Sequence, residues 1–209
     1  MGLQLLIDHF GVTVASISGV LAARGRKIDL FGVVVLALVT AFGGGTIRDV
    51  TLGDVPVFWV RDIGFLGNAA ATAVATFYVA RVFDFRYGVL LVADAFVLAI
   101  FTMAGAQKAL AFHTAPGAVL FMGVTTGVAG GMIRDLLTGQ IPLVFRQEIH
   151  LYATASFLGA FSFLLSEWLG TSARVSVLVG FLVTLIVRLA SLRWRIALPL
   201  FEARDDRLA

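Results

Sequence analysis

Seven apolar runs follow one another along this chain, at roughly Leu3–Ala23, Leu30–Gly45, Ile63–Val82, Val89–Ala111, Pro116–Ile133, Ile149–Leu169 and Val175–Leu192. Each lies near the ~20 residues that a helix needs to cross ~30 Å of hydrocarbon. In that solvent every backbone N–H and C=O must be satisfied internally, which restricts a spanning chain to helices or a closed barrel. Barrel strands read as ~10-residue alternating segments, and these runs do not alternate. The expected fold is an all-α integral membrane protein with seven transmembrane helices. Composition agrees, since 59% of the 209 residues are hydrophobic and 14% are charged, with a mean hydropathy of +0.96.

The chain also repeats itself. "AFGGGTIRDVTLGDVP" at Ala41–Pro56 reads again as "GVAGGMIRDLLTGQIP" at Gly127–Pro142, an offset of 86 residues. The same ungapped offset superposes Asp8 on Asp94, Gly19 on Gly105, Thr40 on Thr126 and Phe77 on Phe163. The expected organisation is one transmembrane domain over 1–209, with a three-helix repeat at 1–86, a second at 87–172, a seventh helix at 173–195 and a cytoplasmic tail at 196–209. Three crossings reverse the chain's direction, so the second copy is inverted. Inverted repeats are a transport architecture, with the pathway at the repeat interface near the midplane.

The repeated segment combines a glycine run with two charges. The sixteen residues of the run Leu30–Gly45 rise only ~24 Å, so the second helix is expected to break or kink at Gly43, Gly44 and Gly45 and continue through Arg48 and Asp49. Successive glycines cost a helix ~1 kcal/mol each relative to alanine, which makes a kink cheap. Carbonyls freed at membrane depth are tolerated only against protein or a water-filled cavity, where they can coordinate a cation. Small residues also let helices pack closely. The recurrence of glycines directly before Arg-Asp, as Gly130 and Gly131 before Arg134 and Asp135, favours a kinked, pathway-lining segment. Neighbouring residues on a helix point about 100° apart, so each Arg-Asp pair need not be internal. Asp8 and Asp94 are the candidate partners and the candidate pathway or gating charges, because an ionisable group inside the membrane is a functional hypothesis by default. Asp8 equally suits the interface, and Lys108 reads as a lysine snorkelling from the end of its helix.

The net charge of +3 and pI near 9.8 do not point to nucleic acid, because the basic residues lie at helix ends. With seven spans one side holds Arg24, Arg26, Lys27, Arg81, Arg86, Arg134, Arg146, Arg188, Arg193, Arg195, Arg204 and Arg207, against Arg48, Arg61, Lys108 and Arg174 on the other. That bias places the amino terminus outside and the carboxyl terminus in the cytoplasm. No basic residue precedes the first run, and no small-residue cleavage site follows it, so that helix is expected to be retained. The glycines lack the Lys-Ser/Thr of a phosphate-binding loop, and no metal or nucleophile motif stands out. An enzyme is not expected, nor a cofactor.

With both "GGGTIRD" and "GGMIRD", the duplication and the seventh helix, the chain resembles the prokaryotic branch of the trimeric intracellular cation channel family over nearly its whole length. The resemblance implies a homotrimer among membrane lipids in the inner (plasma) membrane. Each subunit would have its own pore, lined by the kinked second and fifth helices and conducting monovalent cations, chiefly potassium, as transient occupants. Ala129 stands where a third glycine would match the first copy. The Lys-Glu-Val lipid signature of the animal members is missing here, so their phosphoinositide dependence does not carry over. Members also resemble candidate glycine transporters, and the alternative function is a secondary carrier in which Arg48 or Arg134 binds the carboxylate of a small zwitterion such as glycine.

Overall fold

The computed structural model describes residues 2–83, 87–146 and 151–194. Among them every regular element is helical: α1 (Gly2–Ala22), α2 (Leu30–Thr51), a single turn α3 (Phe58–Arg61), α4 (Gly64–Val82), α5 (Tyr87–Ala111), α6 (Pro116–Leu137), a 3-10 turn (Leu143–Phe145), α7 (Tyr152–Trp168) and α8 (Ala173–Trp194). Six of these, all but α3, the 3-10 turn and α7, are long and apolar enough to cross a membrane. At 17 residues α7 rises ~26 Å. The expected start of its span at Ile149 lies outside the described residues, as do Arg86, Gln147, Glu148, Arg195, Arg204, Arg207 and the expected tail.

Local chemistry sets several ends. Asp29 caps α2 by accepting from the Gly32 amide at 2.8 Å, satisfying one of the orphan donors of the first turn. Pro116 opens α6, where its missing N–H costs nothing.

Helix α5 is the most enclosed element, packing against α1, α6, α7 and α8, while α2 lies against α1, α4 and α6. The expected seventh helix, α8, packs on α5 and α7 and leaves Val175, Leu178, Leu182 and Ile186 exposed.

Both glycine runs differ from the expected break. The helical pattern is continuous through Gly43–Gly45 to Thr51, and through Gly130 and Gly131 to Leu137. The glycines instead allow a helix crossing. A Cβ on Gly44 would overlap the Thr126 carbonyl oxygen, and one on Gly130 would overlap that of Thr40. These contacts are reciprocal at the 86-residue offset, so α2 and α6 meet backbone to backbone about a local two-fold axis. Missing Cβ atoms let transmembrane backbones approach this closely.

Candidate functional site

At one end of the bundle the start of α1 meets the ends of α2 and α5 around a cavity of about 500 Å³. Gln4 and Asp8 of α1, Arg48 of α2, and Gln107 and Lys108 of α5 supply its polar wall; Phe58, Phe65 and Phe101 supply the aromatic one. Gly45 and Thr126 also line it, so the cavity reaches the α2–α6 crossing.

Three cations and three carboxylates are ordered at this end. Asp49 is fully buried and accepts through Oδ1 from Arg48 Nε at 2.7 Å and Lys108 Nζ at 2.6 Å. Its Oδ2 accepts from the Phe58 amide at 2.9 Å. Lys108 Nζ also reaches Asp54 Oδ2 at 2.5 Å, and Arg61 grips Asp54 through both Nη atoms. Hydrogen bonds from Arg61 first, then Lys108, hold the Asp54 carboxyl at about 2, below its usual value. The Arg48 guanidinium carbon stands 5.7 Å from the Phe58 ring centroid. Asp8 accepts from Gln4 Nε2 at 3.3 Å and faces the cavity.

The second Arg-Asp pair sits at the opposite end and is closed in. Arg134 is fully buried; its Nε donates to Asp135 Oδ1 at 2.9 Å and its Nη1 to Asp94 Oδ1 at 2.9 Å and to the Ser18 hydroxyl. Asp135 Oδ2 accepts from the Leu143 amide at 2.8 Å. Among the described residues, Asp94 Oδ2 and Arg134 Nη2 have no hydrogen-bond partner. Alongside lies Tyr152, with the buried Arg188 guanidinium 4.6 Å from its ring centroid.

The structure brings Asp94 to Arg134 as expected. It does not join Asp8 to Arg48; the two share a cavity wall instead. Within each Arg-Asp pair the side chains do bond, because an arginine is long enough to fold back across 100° of helix. Lys108, in the last turn of α5, bridges two carboxylates, and Arg134 and Arg188 are core residues rather than loop charges. Sequence reasoning also missed Asp54, Phe58, Ser18 and Tyr152. The available signal was the second carboxylate five residues after Asp49, which needed another cation.

A family model described as "Glycine transporter" matches residues 5–81 and 91–168, two segments that start 86 residues apart. A UPF0126 membrane protein of Vibrio cholerae is 44% identical over 200 residues, covering 95% of this chain and 83% of the relative. The UPF0126 inner membrane protein YadS of Escherichia coli K12 is 42% identical, covering 96% and 97%. Among solved structures, the TRIC trimeric intracellular cation channel orthologue from Rhodobacter sphaeroides superposes with a TM-score of 0.88 at 37% identity, covering 94% of this chain and 100% of that one. A structure that describes conductance through TRIC cation channels superposes with a TM-score of 0.86 at 33% identity, covering 95% and 97%.

Proposed function

Because this chain belongs to the family that unites the UPF0126 membrane proteins with the TRIC cation channels, we propose that it conducts monovalent cations, chiefly potassium, through a pathway within each subunit of a homotrimer. The observation that carries this reading is the cavity, with its charged and amide-bearing wall, running from the mouth at Gln4 and Lys108 to the α2–α6 crossing. Arg48 and Lys108 are engaged by Asp49 and Asp54, while Asp8 accepts from the Gln4 amide and lines the cavity. A carboxylate on the wall of a low-dielectric cleft focuses negative potential and concentrates cations.

In this reading Gly43–Gly45 and Gly130–Gly131 line the narrowest part and let α2 and α6 bend or shift there. The repeats span 1–86 and 87–172, a seventh crossing uses the α7 segment, and the tail at 196–209 is cytoplasmic. Removing buried Arg134 and Arg188 from the loop count still leaves Arg24, Arg26, Lys27, Arg81, Arg146 and Arg193 on one side, which supports an outer amino terminus. The cavity then opens outward. Membrane lipid surrounds the trimer.

The test is reconstitution with verified insertion, comparing potassium, sodium and labelled glycine. Discrete currents carried by potassium are expected. Saturable glycine uptake without conductance would overturn the channel reading.

A further inference from the structure

The 86-residue offset gives each side chain at the open mouth a counterpart at the other end, and the counterparts differ in kind. Gln4 corresponds to Leu90, Gln107 to Leu21 and Lys108 to Ala22. Those three counterparts form one buried apolar cluster, with Ile17 and Ala80 packed against it. One helical turn inward on the same faces, where i and i+4 residues stack, the polar mouth leads to Asp8 and Ala104. The apolar cluster leads to Asp94 and Ser18. Asp94 and Ser18 both hold Arg134, whereas Arg48, the counterpart of Arg134, lines open space with Asp8 and Ala104.

Resting on the channel reading above, we propose that Leu21, Ala22 and Leu90, latched from within by Arg134, Asp94 and Ser18, are the closed gate at the second end of the pathway. An apolar constriction excludes ions by expelling water, and the latch behind it ties Arg134 to Asp94 and Ser18. Opening moves Leu21 and Leu90 apart and releases Arg134 from Asp94, which makes the second end resemble the first. Ser18 supplies Arg134 with an acceptor that Ala104 cannot offer Arg48, so the asymmetry is written in the sequence.

The test gives the second end the side chains of the first. Leu90→Gln and Leu21→Gln are expected to raise single-channel open probability several-fold, because a buried glutamine favours the hydrated arrangement. Leu90→Ala, which only trims the plug, is expected to do the same to a lesser degree and serves if the glutamine variants do not fold. The chain has no cysteine, which permits an independent readout. Ser18→Cys is expected to resist a membrane-impermeant thiol reagent alone and to react from the α4–α5 side when combined with Leu90→Ala or Leu90→Gln. Gln107→Cys is expected to react from the opposite side throughout. If Asp8→Asn alters the current while the Leu21 and Leu90 variants match the parent in both readouts, the gate is wrong and the channel reading stands. If the parent carries no current, both fall.

Discussion

Lys108 carries more of the mouth's organisation than any other single side chain. Its ammonium joins the buried Asp49 to the loop residue Asp54, and hydrogen bonds to charged groups are worth about 1.5–3 kcal/mol each. Lys108→Gln is expected to leave Asp49 with Arg48 and the Phe58 amide, lower the thermal midpoint modestly, and raise single-channel potassium current by making the mouth more negative. Asp54 supplies a pH prediction. Its folded-state pKa is depressed from 3.8 to about 2, so its stabilising contribution is complete above the unfolded value and is lost as pH falls through the folded one. Thermal midpoints of the parent and Asp54→Asn are expected to differ by a constant amount above about pH 4, then converge towards pH 2. Asp49 and Asp94 could be read from the sequence as membrane carboxylates needing cations. Lys108 could not be matched to Asp54, because the partner lies in a loop 54 residues earlier (108 − 54) and only the fold brings them together.

At the scale of the element, α2 and α6 cross through glycines whose neighbours are backbone atoms. Backbone cannot move aside, so Gly44→Ala and Gly130→Ala force the helices apart and are expected to cost at least the ~1–3 kcal/mol of ordinary overpacking. Gly43→Ala meets the flexible end of Ile133, its Cδ1 methyl, at 2.9 Å and the Gly130 Cα at an ordinary 3.7 Å, and is expected to be much milder; thermal unfolding in detergent separates the cases. The apolar runs predicted the helices well, including the passage of α2 beyond the glycines into Arg48 and Asp49. They could not say whether the glycines interrupt a helix or admit another one. Both uses need only a missing Cβ, and the choice depends on what stands opposite. Arg188 was misplaced for a related reason: an arginine near the end of an apolar run suits the interface, and only the packing of α8 on α5 and α7 puts it over Tyr152.

Across the whole molecule, one duplicated unit yields two unlike ends. The doubled Gly/Arg-Asp motif conserves the crossing and the Arg-Asp bonds, while the flanking positions diverge into a polar mouth and an apolar seal. In the proposed reading the pathway is open at one end, where the cavity lies, and shut at the other, with the glycine crossing between them. The most direct measurement is single-channel recording of the reconstituted protein in a potassium gradient, with Asp8→Asn beside it. We predict discrete currents that reverse near the potassium equilibrium potential and are reduced by Asp8→Asn. Electrical silence with insertion verified, or currents that Asp8→Asn leaves unchanged, would contradict the account.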